Sequence, residues 1–117
     1  MAPAGALAAD RMKIAGITGD WVAITSFAVS PGREGSSQAI VVLPRGPTVT
    51  ALNHAMAANE VLHEVRLEEV ETDGKMKSGY VLTNAVVSWI SMNHRGAYKE
   101  PVMMALNFDK IATQPGG

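Results

Sequence analysis

Trp21-Val22-Ala23-Ile24-Thr25-Ser26-Phe27-Ala28-Val29 is the stretch on which the fold turns. Read with the two-residue period of a strand, it sets Trp21, Ala23, Thr25, Phe27 and Val29 on one face. Val22, Ile24, Ser26 and Ala28 take the other. Both faces carry apolar side chains. A sheet with one face in water alternates apolar with polar residues, so the second face here must meet a helix, another sheet or another subunit. Gln38 to Leu43 has the same character, with Ile40 and Val42 opposing Val41 and Leu43.

Outward from that stretch, strand signals dominate. Met12 to Ile17 is a short apolar segment cut by Gly16 and ended by the turn-forming Thr18-Gly19-Asp20. The loop from Ser30 to Ser37 is longer than a tight hairpin needs. After Pro44-Arg45-Gly46-Pro47 the period changes: Val49, Leu52 and Met56, flanked by Ala51, Ala55 and Ala58, follow helical spacing. Thr48 or Gly46 caps the start, Pro47 suits the first turn, and Asn59 suits a left-handed stop. Strands then resume. Glu64 to Thr72 turns Val65 and Leu67 inward and Glu64, Arg66 and Glu68 outward, and Glu69-Val70 breaks the alternation in the manner of a bulge. Asp73-Gly74 signals a hairpin whose return strand starts near Ser78. Tyr80 to Ile90 is the longest strand, Asn93 to Pro101 is a polar loop, and Val102 to Ile111 places Met104, Leu106 and Phe108 on one face.

Six or seven short strands with one mid-chain helix predict a mainly β fold: an antiparallel barrel or two-sheet sandwich with a flanking α-helix. A length of 117 residues fits one domain, taken as 11–112 between a 1–10 tail and a 113–117 tail. The expected core includes Trp21, Phe27, Leu52, Met56, Leu106 and Phe108.

Composition removes whole classes of function. Ten Lys plus Arg against eleven Asp plus Glu leave no basic surplus for phosphates, so a nucleic-acid partner is not expected. With no cysteine, disulfides, thiolate catalysis and Cys-ligated zinc are out. The opening Met-Ala-Pro-Ala-Gly-Ala-Leu-Ala-Ala-Asp has no basic n-region, so it does not read as a secretory signal, and no run is long enough to span a bilayer.

Site chemistry is thin. His54 and His63 stand nine residues apart with a helix end expected between them, which is no metal-ligand spacing, and His94 is remote. There is no G-x-S-x-G elbow and no phosphate-cradling glycine loop. Glu68, Glu69 and Glu71 read as a solvated strand edge rather than a metal site. The expectation is therefore no enzyme, no cofactor and no metal. By residue chemistry alone the chain is a β-rich domain that associates with something.

A resemblance takes the reading further. Met12-Lys13-Ile14-Ala15-Gly16-Ile17-Thr18-Gly19-Asp20, then Trp21, then Ile24-Thr25-Ser26-Phe27, resembles the opening of the Hcp family. The helix after a mid-chain proline, the long strand from Tyr80, and Pro101 followed by Leu106-Asn107-Phe108-Asp109-Lys110-Ile111 are similar to that family's later segments. The chain departs from the family's pattern where Thr18-Gly19-Asp20 leads straight into Trp21 without a longer loop. What the resemblance implies is an Hcp-like β-barrel that assembles into hexameric rings. The rings stack as the inner tube of a type VI secretion system. The implied partners are further copies of the chain and the sheath, baseplate, spike and effector proteins of that machine, with no membrane insertion. The implied route is synthesis in the cytoplasm and secretion without a signal peptide. Pro31, Gly32, Arg33, Glu34, Gly35 and Ser36 are then expected to be an assembly loop. Two other readings stay open: a phage or contractile-particle tail tube protein, and a monomeric small-ligand-binding β-barrel.

Overall fold

The structure is a computed structural model that describes residues 9–30, 37–71, 73–91 and 101–115. Seven strands and one helix follow in the order β1 (Ala9–Ile14), β2 (Val22–Ile24), β3 (Ser26–Ser30), β4 (Gln38–Leu43), α1 (Pro47–Ala57), β5 (Leu62–Val70), β6 (Met76–Ser91) and β7 (Val102–Pro115). They form one antiparallel sheet ordered β2-β1-β5-β6-β7-β4-β3.

That order dictates the shape. β2 and β3 lie at opposite ends of the sheet, yet only Thr25 separates them in the chain. The sheet must therefore curl until its ends meet, and the Thr25 N–H donates to the Val42 carbonyl across the join at 2.7 Å. The single strand expected over residues 21–29 is thus two strands. Thr25 and Ser26 are both exposed, so the inward phase passes from Ile24 to Phe27 at the bend. A strand that turns a sheet corner needs such a break, because strict alternation cannot serve two sheet directions.

The interior follows the inward rows of the ladder. Phe27, Val41, Met104 and Ile90 lie opposite one another in turn, as do Val29, Ala39, Leu106 and Val87. Met12, Leu67 and Tyr80 form a further row. From α1 come Val49, Leu52 and Ala55, and the helix packs against β6. Pro47 occupies its first turn, where no intrahelical N–H is lost. Asn59 turns the chain out in a left-handed conformation, φ 51°. α1 is not long enough to cross a membrane.

Several boundaries differ from expectation. Ala9, Asp10 and Thr113 to Pro115 fall in segments that composition assigns to tails. The ladder takes them in, pairing Ala9 with Val70, Thr113 with Tyr80 and Pro115 with Ser78. β6 begins at Met76, before Ser78. The bulge expected at Glu69-Val70 is present as a register shift against β6.

Candidate assembly surface

The outward rows of the ladder divide into two halves of different chemistry. On β3, β4, β7 and β6 one row reads Ser26, Val42, Met103, Ser91. The next reads Ala28, Ile40, Ala105, Trp89, and the third reads Ser30, Gln38, Asn107, Val86. None of these positions is ionisable. Trp89 is 39% exposed and Met103 43%, and Ile40, Val42 and Val86 are half-buried. Large apolar side chains left in water on an uncharged face make it the candidate interaction surface of the chain.

The other half, on β1, β5 and the adjoining parts of β6 and β7, is charged. Its rows read Arg11, Glu68, Gly79, Gln114, then Lys13, Arg66, Val81, Ala112, then Glu64, Thr83, Lys110. Two of its arginines are paired locally. The Arg11 guanidinium donates to Glu68 Oε1 from Nε at 2.8 Å, and Arg66 Nε donates to Glu64 Oε2 at 2.7 Å. That hydrogen bond, and then the charge of Glu64, raise the Arg66 pKa. Gly79 leaves room for Glu68: a Cβ there would stand 3.2 Å from Glu68 Cγ. These pairs are satisfied within the chain and leave this half wetted.

Two local distortions make the division. The first is a change of inward phase along three neighbouring strands. Leu62, Ala85 and Phe108 face inward together, and so do Val65, Leu82 and Ile111, which lie three residues further along each strand. Strict alternation would put those two rows on opposite faces. Two successive residues on each strand therefore turn outward, and His63, Asn84 and Asp109 form the extra row. Asn84 accommodates this with φ 53°, in the left-handed region that asparagine tolerates better than most residues. Its Nδ2 donates to Asp109 Oδ2 at 3.5 Å. A shallow groove of about 480 Å³ runs along the row, with Val61, Val86 and Phe108 in its apolar wall. The second distortion is a bulge between Val87 and Trp89, which makes Ser88 the extra residue and turns Trp89 outward.

The residues singled out in the sequence fall as follows. Leu52, Leu106 and Phe108 are buried, and Phe27 and Met56 pack against the core while partly exposed. Phe27 meets Tyr80 edge to face at 5.9 Å between centroids. Trp21 precedes β2 and is half-buried outside the core, with the Arg11 guanidinium 4.4 Å from its ring centroid. Pro31 to Ser36 and His94 lie outside the described residues, although Ser30 and Gln38, which bracket the loop, sit in the third row of the uncharged half. His54 on α1 and His63 on β5 are both exposed. Among the described residues no three His, Cys, Asp or Glu side chains gather as a metal site would need. Trp89 and Met103 are the functional candidates that sequence reasoning missed. Met103 was legible, since Met104, Leu106 and Phe108 inward leave it outward. Trp89 was not, because unbroken alternation from Val87 would bury it.

No protein-family model matches the chain, and no curated protein matches it. Solved structures do. Hcp1 from Salmonella typhimurium superposes with a TM-score of 0.75 at 15% identity, over 93% of this chain and 87% of that one. A type VI secretion system effector from Yersinia pestis gives 0.72 at 9%, over 91% and 98%. The secreted protein Hcp3 from Pseudomonas aeruginosa gives 0.68 at 11%, over 92% and 97%. The chain has the Hcp fold: a curled antiparallel sheet with one helix.

Proposed function

We propose that this chain is a structural tube subunit of a type VI secretion system, closing into hexameric rings that stack and carry effectors out of the cell. The observation that carries the reading is the uncharged outer half, with Trp89 and Met103 exposed on it, on a chain with the Hcp fold. Burying that half against another copy removes apolar surface from water at about 25 cal/mol per Å² and strands no charge. A contact between two different patches of identical copies closes into a ring when its rotation allows. In the charged half Arg11 and Arg66 are already paired within the chain, with Glu68 and Glu64.

On this reading the protein performs no catalysis. Its partners are further copies and the sheath, baseplate, spike and effector proteins, and it leaves the cytoplasm through the machine. The test is mass in solution. Light scattering behind a sizing column should give a hexamer for the parent protein. Trp89→Glu and Met103→Lys, which place a charge at exposed positions, should yield folded monomers. A parent chain that stays monomeric throughout the micromolar range would sink the proposal.

A further inference from the structure

β7 carries two adjacent methionines in opposite surroundings. Met104 belongs to the inward set with Val102 and Leu106 and is fully buried. Met103 faces outward and is 43% exposed. Its direct neighbours across the ladder are Val42 of β4 and Ser91 of β6. Ala105, two residues further along β7, is buried, so Met103 is the apolar side chain that this end of β7 gives to water. Of the other methionines, Met12 is fully buried, and Met56 and Met76 are half-buried. Among the described residues Met103 is thus the one exposed methionine. Met1 and Met92 lie outside them.

A thioether is soft and polarizable, and peroxides convert it to a sulfoxide. The sulfur lone pair attacks one peroxide oxygen, and the S–O bond forms as the O–O bond breaks. With hydrogen peroxide the second oxygen takes up the proton of the first and leaves as water. The sulfur is oxidised by two electrons and the peroxide reduced by two. An exposed sulfur reacts from the folded state, whereas a buried one waits for the structure to open. The product is a polar side chain in place of an apolar one. None of the positions in the three outward rows of this half is ionisable, so no cation on the face is there to receive the new dipole. Burying a polar group without a hydrogen-bond partner costs free energy.

We propose that Met103 is a peroxide-sensitive modification site, oxidised ahead of the interior methionines, whose sulfoxide keeps copies of the chain from packing on the uncharged face. The site follows from exposure on β7 alone. The consequence rests on the proposed packing of copies on that face. Oxidation then acts on free subunits, and assembly shields the sulfur it depends on.

Timed treatment with hydrogen peroxide tests both parts, with oxygen uptake read residue by residue from fragment masses. In dilute, unassembled protein Met103 should gain oxygen many times faster than Met104, its neighbour in the chain. In assembled protein its uptake should slow severalfold. Light scattering behind a sizing column should show that parent protein oxidised at Met103 no longer assembles. Met103→Leu keeps an apolar side chain that takes up no oxygen, so it should assemble before and after the same dose. Methionine sulfoxide reductase should restore assembly to the oxidised parent, which decides the matter should the leucine variant fail to fold. Equal uptake at Met103 and Met104 would overturn the site. Assembly of the Met103 sulfoxide as in untreated protein would overturn its consequence, as would loss of assembly by oxidised Met103→Leu. An untreated parent that never assembles defeats the tube reading and the consequence together, while the masses still decide the site.

Discussion

Asn84 offers the sharpest test of how this barrel is built. It sits mid-strand in β6 with φ 53°, between the inward rows of Leu82 and Ala85. In an ordinary strand position glycine is less favourable than alanine by roughly 0.5–1 kcal/mol, because it loses more freedom on folding. In the left-handed region the order reverses, since a Cβ crowds the following carbonyl at a cost of roughly 1–2 kcal/mol. Setting one against the other, Asn84→Gly should be more stable than Asn84→Ala by about 1 kcal/mol. The lost hydrogen bond to Asp109 is long and exposed, and it is common to both variants, so it drops out of the comparison. Val86, two residues on in the same strand, is the control: there the glycine variant should be the less stable of the two. Equilibrium urea unfolding with an unchanged slope gives each difference, and a gap of that size moves a melting point by several degrees. If alanine equals or beats glycine at position 84, the left-handed residue is not there. The phase change across β5, β6 and β7 would then need another explanation.

Three further outcomes are expected. Phe108 is 6% exposed and lies opposite Ala85, which is too small to close over the space left by its ring, so Phe108→Ala should cost about 3–5 kcal/mol. Against a typical stability of ~5–15 kcal/mol this shows as a sharply lower melting point or poor expression, and an unchanged melting point would contradict the burial. Replacing residues 33–36 with an Asn-Gly turn should leave the domain folded and weaken stacking or higher assembly. Assembly and secretion equal to the parent's would show that the loop has no such role. Asp10→Asn should melt higher than the parent near neutral pH and converge with it in acid, following the raised Asp10 pKa, and parallel melting profiles would remove that carboxyl from the pH dependence.

Much of the fold was legible because alternation and breakers are local. The helix start at Pro47, the left-handed Asn59 and the bulge at Glu69-Val70 each rest on a few adjacent residues, and the structure places all three there. The break at Thr25 was not legible. Ile24-Thr25-Ser26-Phe27 keeps strand propensity throughout, and what divides it is that β1 claims one side and β4 the other. The ends of the sheet failed for a related reason. Thr113, Gln114 and Pro115 carry no strand signal of their own, and β6 holds them because it runs long enough to pair with them. Trp21 looked like core from its neighbours' phase, but Arg11 of β1 gives its ring a face to lie against outside the interior.

The uncharged outer face was partly legible for the same physical reason. Its apolar excess shows in the sequence as strands without a wet face, visible in Ile40 and Val42. Its boundary does not, because no single strand contains it. The boundary lies where His63, Asn84 and Asp109 align across three strands separated by up to 46 positions in the chain, as 109 less 63 gives. At that row each strand exchanges its inner and outer sets. On one side the outward residues are Glu64, Lys110 and their charged neighbours. On the other they are Asn107, Val86 and, past the Ser88 bulge, Trp89. Had β6 kept strict alternation from Tyr80 to Ile90, Ala85 and Val87 would face water, and Asn84, Val86 and Ser88 would face the core. The phase change is thus what lets one long strand bury Leu82 and Val87 alike, and the Ser88 bulge then returns Trp89 to the outer face. Were copies of the chain to pack on that face, Trp89 would offer them a large, stiff apolar anchor.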